Sequence, residues 1–168
     1  MHEHLIGSGA IRKLSINEAP LYGAHLLRLD SESRRSRFGG TVADAYIRGY
    51  AEWSTLGDAI IHGFFVENEL RGAAELRLFA ACAAEVALSI EKDWQGHGIG
   101  TALFESTLRA ARIRGVKSLY MSCLPANLRM RQLARKFHAD LKFEYGSVAA
   151  VLEPAAVRGA DSAPRNAA

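Results

Sequence analysis

The chain has 168 residues, of which 49% are hydrophobic and 23% charged, a balance typical of one soluble domain. The formal net charge is only +3, so composition does not indicate a nucleic-acid partner, which needs clustered basic residues. No apolar run reaches the roughly 18 residues of a membrane span. No basic segment followed by an apolar one marks a secretion signal. We therefore expect a cytoplasmic protein without a membrane partner.

The two cysteines, Cys82 and Cys123, lie in or beside apolar, strand-like segments. They form no CxxC or Cys/His spacing, so we expect no structural metal site. One disulfide between them is an alternative, although their apolar surroundings favour buried free thiols.

The first half of the chain predicts one strand, two helices and three further strands. In chain order these are a strand over residues 10–16, helices over 17–29 and 42–55, and strands over 59–66, 70–79 and 85–91. The polar and basic segment 30–40 is predicted as a loop or a helix end. The strand over 85–91 alternates cleanly, with Val86, Leu88 and Ile90 on one face and Glu85 on the other.

The second half predicts a helix over 98–114, a strand over 118–123, a helix over 127–137, and strands over 141–145 and 147–152. The helix over 98–114 has a continuous apolar stripe, formed by Ile99, Leu103, Phe104, Thr107, Leu108 and Ala111. From Pro154 onward the composition predicts a flexible tail. The pattern therefore gives one mixed α/β domain over residues 1–153, with helices on both faces of a sheet, and a tail over 154–168.

The most informative segment is the glycine-rich turn Gln95-Gly96-His97-Gly98-Ile99-Gly100-Thr101 between a strand and a helix. The first turn of a helix has backbone N–H groups without intrahelical partners, and the helix dipole adds positive charge there. Glycines allow a pyrophosphate to approach these donors closely. The alternative is a glycine-rich turn without a ligand, but three alternate glycines are costly at a helix start.

Two nucleotide-binding motifs do not fit this turn. A Rossmann G-x-G-x-x-G motif would need glycine at Thr101 or Leu103. A P-loop would need a lysine after the glycines, and none follows. Dinucleotide and ATP binding are therefore both disfavoured.

The pattern Q-x-x-G-x-G, formed by Gln95, Gly98 and Gly100, resembles the CoA-binding signature of the GNAT superfamily of N-acetyltransferases. The preceding strand, the following amphipathic helix and Asn127 on the next helix also match this family's order. The resemblance implies a mostly antiparallel sheet of about seven strands with a splayed central pair. It also implies acetyl-CoA as co-substrate.

The resemblance assigns roles to residues along the turn and its neighbours. The backbone of Leu88 and Ile90 would pair with the pantetheine arm, and Asn127 would contact the same arm in addition to capping its helix. The pyrophosphate would bind the amides of Gly96, His97, Gly98, Ile99, Gly100 and Thr101.

The reaction implied by the resemblance is direct attack of a primary amine on the thioester, and Glu85 is the candidate general base. Glu75 is a second acid, expected to be exposed. Many family members carry a tyrosine general acid where this chain has Ala134, and their later Gly-Phe pair is replaced by His138-Ala139. The general acid is therefore not assigned.

The segment from Leu29 to Phe38 is similar to the first-helix region of bacterial protein-lysine acetyltransferases, which favours a lysine acceptor. The alternative function is a non-catalytic acyl-CoA sensor. A nucleic-acid-binding domain has only the arginines between Arg34 and Arg37 in its favour. The sequence leaves open the acceptor, the acyl chain length and the oligomeric state, a homodimer included. The remaining histidines suggest little: His97 is expected to be solvent-facing and His62 a hydrogen-bonded core residue.

Overall fold

The computed structural model describes residues 4–6 and 9–157. Their strands are β1 (His4–Ile6), β2 (Gly9–Lys13), β3 (Ile60–Val66), β4 (Glu69–Ala80), β5 (Ala83–Ile90), β6 (Ser118–Cys123), β7 (Asp140–Glu144) and β8 (Ser147–Leu152). Their α-helices are α1 (Ala19–Arg28), α2 (Ser31–Phe38), α3 (Asp44–Leu56), α4 (Ile99–Ile113) and α5 (Leu128–Lys136). All seven predicted strands and four predicted helices are confirmed within a few residues.

The strands form one mixed sheet in the order β1-β2-β3-β4-β5-β6-β8-β7. Neighbours are antiparallel except β5 and β6, which run parallel. Those two strands pair only from Ala83 with Ser118 to Glu85 with Tyr120. On its other edge, β5 stays paired with β4 as far as Ile90. The predicted splayed central pair is therefore confirmed, and one edge of β5 beyond Glu85 is left free of β6.

Helices cover both faces of the sheet, as predicted. On one face, Tyr22 and Leu26 of α1 and Ile47 of α3 pack on the first strands. On the opposite face, α4 and α5 pack together, with the rings of Phe104 and Phe137 4.7 Å apart. Every residue of the predicted apolar stripe of α4 is buried. The splayed part of the sheet therefore lies between two helical layers.

Helix α2 was not predicted as an element of its own, since segment 30–40 was expected to be a loop or a helix end. Asp30 caps α2 by accepting hydrogen bonds from the backbone N–H groups of Glu32 and Ser33, both at 3.0 Å. Gly39 ends the helix with a φ of 71°, the left-handed conformation that glycine adopts most easily. The helix has no fully buried residue, so its apolar periodicity is too weak to reveal it.

The structure adds short strand β1 at the sheet edge, which was not predicted. Residues 154–157 form a turn, in which the Pro154 and Val157 carbonyls accept hydrogen bonds from Arg112. Residues 158–168 lie outside the described part, so the flexible tail stays a prediction. Within the described ranges, no helix combines the length and apolar character needed to cross a bilayer.

Candidate active site

The glycine-rich turn joins the end of β5 to the start of α4. Gly96 and Gly98 have φ values of 82° and 81°, in the left-handed region that disfavours residues with a Cβ. A Cβ at either position would have no atom of the described chain within 4 Å. The turn therefore leaves open space beside the N-terminal amides of α4, where an anion binds well.

Gln95 holds this turn in place. Its side-chain amide donates hydrogen bonds to the Ile90 carbonyl (2.8 Å) and to the Ser33 hydroxyl (3.1 Å). Gly100 lies closer to the sheet, because a Cβ there would come within 3.2 Å of the Ile90 side chain. Gln95 and Gly100 thus position the turn against β5 and α2, a structural role that the sequence motif alone does not distinguish from ligand contact.

The other predicted cofactor residues surround the turn. Leu88 and Ile90 lie on the free edge of β5, with side chains packed in the core as expected. Ile99 is buried and His97 is exposed. The Thr101 hydroxyl accepts a long hydrogen bond of 3.4 Å from Lys136 of α5. This lysine places a positive charge beside the turn, and its contact could not be read from the sequence.

Asn127 caps α5. Its side-chain oxygen accepts a hydrogen bond from the backbone N–H of Met130 at 3.1 Å, as an N-cap residue should. The capping role is therefore confirmed, and it uses only the oxygen of the amide. The NH₂ group of the side chain takes no part in this cap.

A cleft of about 350 Å³ opens beside the splayed strands, lined by parts of α2, β4, β5 and the ends of β6 and β8. Glu85 lies in it with an exposed side chain. The strand register puts Glu85 next to Arg77 on β4 and next to Tyr120 on β6. The structure therefore brings the candidate base to the splay from which the free edge of β5 leads to the glycine turn.

Glu75 was expected to be exposed, and that expectation was wrong: its relative exposure is 2%. Its carboxylate accepts hydrogen bonds from Tyr22 (2.7 Å), Tyr50 (2.7 Å) and Arg37 (2.9 Å), and from Arg77. These partners come from three different helices and from β4 itself, so no local sequence pattern reveals them. The only signal was a charged residue alternating with apolar ones on a strand.

The environment of Glu75 keeps it ionised. Burial by itself raises the pKa of Glu75, but the charge of Arg37 and hydrogen bonds from Tyr22 and Tyr50 outweigh burial and lower the pKa. A carboxylate with a lowered pKa and saturated oxygens is a poor proton acceptor. Glu75 therefore orients the two arginines and is not a candidate base.

A second buried network lies at the other end of β5. Glu91 contacts His25 (3.2 Å), Arg28 (2.9 Å) and Arg71 (3.0 Å), and the second ring nitrogen of His25 lies 2.9 Å from the Ser89 hydroxyl. Burial lowers the pKa of His25 despite the contact with Glu91, which favours a neutral imidazole at pH 7. This network fixes the end of β5 just before the glycine turn.

Two other expectations are corrected or qualified. His62 is half-buried, and its Nδ1 atom has no hydrogen-bond partner among the described residues, so it is not the bonded core histidine expected. Both cysteines are free, but only Cys123 is buried while Cys82 is exposed. Ala134, at the position of the family's tyrosine, is buried at 2% exposure.

Comparison with known proteins agrees with this geometry. The family model of the GNAT acetyltransferases matches residues 25–139, more than half of the chain. No match was found among curated protein sequences.

Solved structures share the fold at low sequence identity. The GNAT domain of S. lividans PAT has a TM-score of 0.76 and 20% identity, covering 90% of this chain and 96% of that one. A Salmonella typhimurium acetyltransferase that modifies the N-terminal serine of ribosomal protein L7/L12 has a TM-score of 0.70 and 17% identity, with 88% and 95% covered. PaiA N-acetyltransferase from Thermoplasma acidophilum, solved with coenzyme A, has a TM-score of 0.65 and 18% identity, with 87% and 99% covered. With the family match, the chain belongs to the GNAT acetyltransferase family.

Proposed function

We propose that this protein transfers an acetyl group from acetyl-CoA to a primary amine by direct attack. The observation that carries the proposal is the splay of β5 and β6, whose free strand edge runs from the glycine turn to the cleft holding Glu85. A cofactor extended along that edge would have its anionic end at the turn and its reactive end near the cleft.

The residues present fit acetyl-CoA. Gly96 and Gly98 leave open space at the N-terminus of α4, where backbone N–H groups and the helix dipole favour phosphate. The backbone of Leu88 and Ile90 would hold the pantetheine arm, and the NH₂ group of Asn127 would donate to it. Acetyl-CoA supplies the activated acyl group, and a β5 backbone N–H near Leu88 would donate to the thioester carbonyl as negative charge develops.

Glu85 acts as the general base in this proposal. An alkylamine titrates near pH 10.4, so it arrives mostly protonated at neutral pH and must lose a proton before attack. Glu85 is exposed in the cleft, whereas Glu75 is saturated by its own partners. Glu85 is therefore the carboxylate of this cleft that has room to accept the proton.

A non-catalytic acyl-CoA sensor is the second candidate, favoured by the buried Ala134 where many family members carry a tyrosine. A thiol-release assay separates the two functions. Purified protein would be incubated with acetyl-CoA and, in turn, amino acids, polyamines, aminoglycosides and lysine peptides. Amine-dependent CoA release with acetylated product in the mass spectrum supports the enzyme. Tight acetyl-CoA binding without release for any amine would favour the sensor.

A further inference from the structure

The floor of the cleft contains a buried arginine whose donors are only partly used. The side chain of Arg37 is 6% exposed. Its Nη2 donates to Tyr22 (3.2 Å), Tyr50 (2.8 Å) and Glu75 (2.9 Å). Its Nε is buried and has no partner in residues 9–157. A buried, unpaired donor costs free energy, so the protein partners of Arg37 compensate its guanidinium only in part.

The charges around Arg37 do not balance. Arg37 and Arg77 both pair with Glu75, and no second carboxylate of the described chain lies within salt-bridge distance of either guanidinium. Two cations against one anion leave this cluster with an excess positive charge. Arg37 is buried, so its charge depends on Glu75 for compensation, and an anion bound at the more exposed Arg77 would offset the excess. Planar guanidinium groups are well suited to binding carboxylates.

Arg77 is the member of this cluster that is accessible from the cleft. Its side chain is 26% exposed, and its guanidinium lies 4.1 Å from the ring centre of Trp53, which fixes its direction. Glu85 is directly opposite Arg77 in the register of β4 and β5, where Cβ atoms are roughly 5 Å apart. The structure shows no ion pair between the two; Arg77 pairs with Glu75 instead. The cleft thus presents a carboxylate and a guanidinium side by side.

We propose that the acceptor amine belongs to a small molecule that also carries a carboxylate, such as a free amino acid. Arg77, backed by Arg37, binds the acceptor carboxylate, while Glu85 faces its amine. This inference rests on the proposed acetyl transfer. The cleft volume of about 350 Å³ is near the lower end of the range for ligand pockets, about 300–1,000 Å³, which suits such a small acceptor.

The test compares each amino acid with its decarboxylated amine: lysine with cadaverine, arginine with agmatine, and tyrosine with tyramine. We expect kcat/KM to be roughly ten- to a hundredfold higher for at least one acid than for its amine, the range for one charged hydrogen-bonded contact. Arg77→Gln should bring this ratio close to one. Arg71→Gln is the matched control, because Arg71 lies on the same strand with the same 26% exposure but pairs with Glu69 and Glu91 outside the cleft. The control should keep the ratio.

Binding provides a readout that does not need turnover. Calorimetry would titrate each acid and amine into the protein saturated with CoA, which cannot react. A preference for the acids that Arg77→Gln abolishes and Arg71→Gln keeps supports the inference, even if the acetyl-transfer proposal fails. Equal affinities for acids and amines, or a preference that survives in Arg77→Gln, would overturn it. So would acetylation of an end-blocked lysine peptide without carboxylates as fast as free lysine.

Discussion

Glu75 and Glu85 lie on one face of neighbouring strands, yet their surroundings give them different chemistry. Glu75 is enclosed by two arginines and two tyrosines, which hold it as a fixed anion. Glu85, at the start of the splay, is exposed in the cleft. The sequence suggested both as acids, but only tertiary packing separates the orienting carboxylate from the one available for proton transfer.

Glu85→Gln tests the base assignment. The amide cannot accept the amine proton, so kcat/KM should fall by roughly a hundred- to ten-thousandfold, while acetyl-CoA affinity hardly changes. The loss should shrink as pH rises, because more amine arrives deprotonated. Steady-state kinetics between pH 7 and 9.5 would check this. Glu105→Gln, on α4 at the opposite face of the sheet, is the control. Near-normal kcat/KM at neutral pH would mean that the proton leaves by another path.

Asn127→Asp separates the helix cap from the proposed cofactor contact. Aspartate caps a helix as well as asparagine does, so the free energy of unfolding should change little. The substitution removes the NH₂ donor, so acetyl-CoA affinity should fall. Asn127→Ala should lose both the helix cap and the NH₂ donor. Acetyl-CoA affinity should fall, and stability should drop by about 1 kcal/mol. Calorimetry and urea unfolding would measure the two effects. An Asn127→Asp protein with unchanged affinity would leave only the capping role.

At the scale of elements, α4 has a left-handed glycine beside each end. Gly98 precedes it with a φ of 81° and Gly115 follows it with a φ of 68°, and a Cβ at either would meet open space. Alanine at either position should therefore cost about 1–2 kcal/mol of stability through the same backbone strain. Only Gly98→Ala should also weaken CoA binding, because only that Cβ would point into the proposed phosphate site.

Urea unfolding and calorimetric CoA titration of both glycine variants would check this. The Gly115→Ala protein controls for strain on the same helix. Equal losses of CoA affinity in the two variants would show that α4 distortion, and not contact at the turn, accounts for the effect.

How far the elements could be predicted depended on their apolar pattern. The stripe of α4 and the alternation of β5 are strong signals, and both elements were predicted to within a few residues. Helix α2 has no fully buried apolar residue and begins at its cap Asp30, so it was missed. The glycine turn was predictable because its chemistry is local. The Arg37 to Glu75 contacts were not, since they join residues 38 positions apart.

At the scale of the whole molecule, buried charge joins the helical layer to the sheet. Glu75 on β4 ties together α1, α2 and α3 through Tyr22, Arg37 and Tyr50. Removing one partner from such a buried group is typically costly, about 3–5 kcal/mol. The cluster that we propose for acceptor recognition is therefore also part of what holds the acceptor side of the cleft in shape.

The burial of His62 makes the stability of the fold depend on pH. Burial lowers the pKa of His62 from 6.5 to about 4, with smaller contributions from Arg109 and Lys13. Between these values the unfolded chain binds a proton that the folded chain does not, so stability falls as pH falls through this window. Between pH 7 and pH 5, protonation of His62 in the unfolded chain should lower the free energy of unfolding by about 2 kcal/mol. Glu75 and Glu91, whose pKa values are lowered, contribute only below about pH 4.5.

Urea unfolding of the wild type and His62→Gln at pH 7 and pH 5 would check this. The variant should lose less stability on acidification, because it has no proton to gain at this position. His25 is retained in both proteins, so its contribution cancels. An equal loss of unfolding free energy in the wild type and in His62→Gln would mean that another group causes the acid sensitivity.

Transfer of an acetyl group to an amine can be followed directly by NMR with acetyl-CoA labelled with ¹³C in the acetyl group. With the protein and a preferred amine, the label should move from the thioester to an amide, and Glu85→Gln should slow this strongly. Label that stays in the thioester for every amine, or appears only as free acetate, would show that the protein does not acetylate amines.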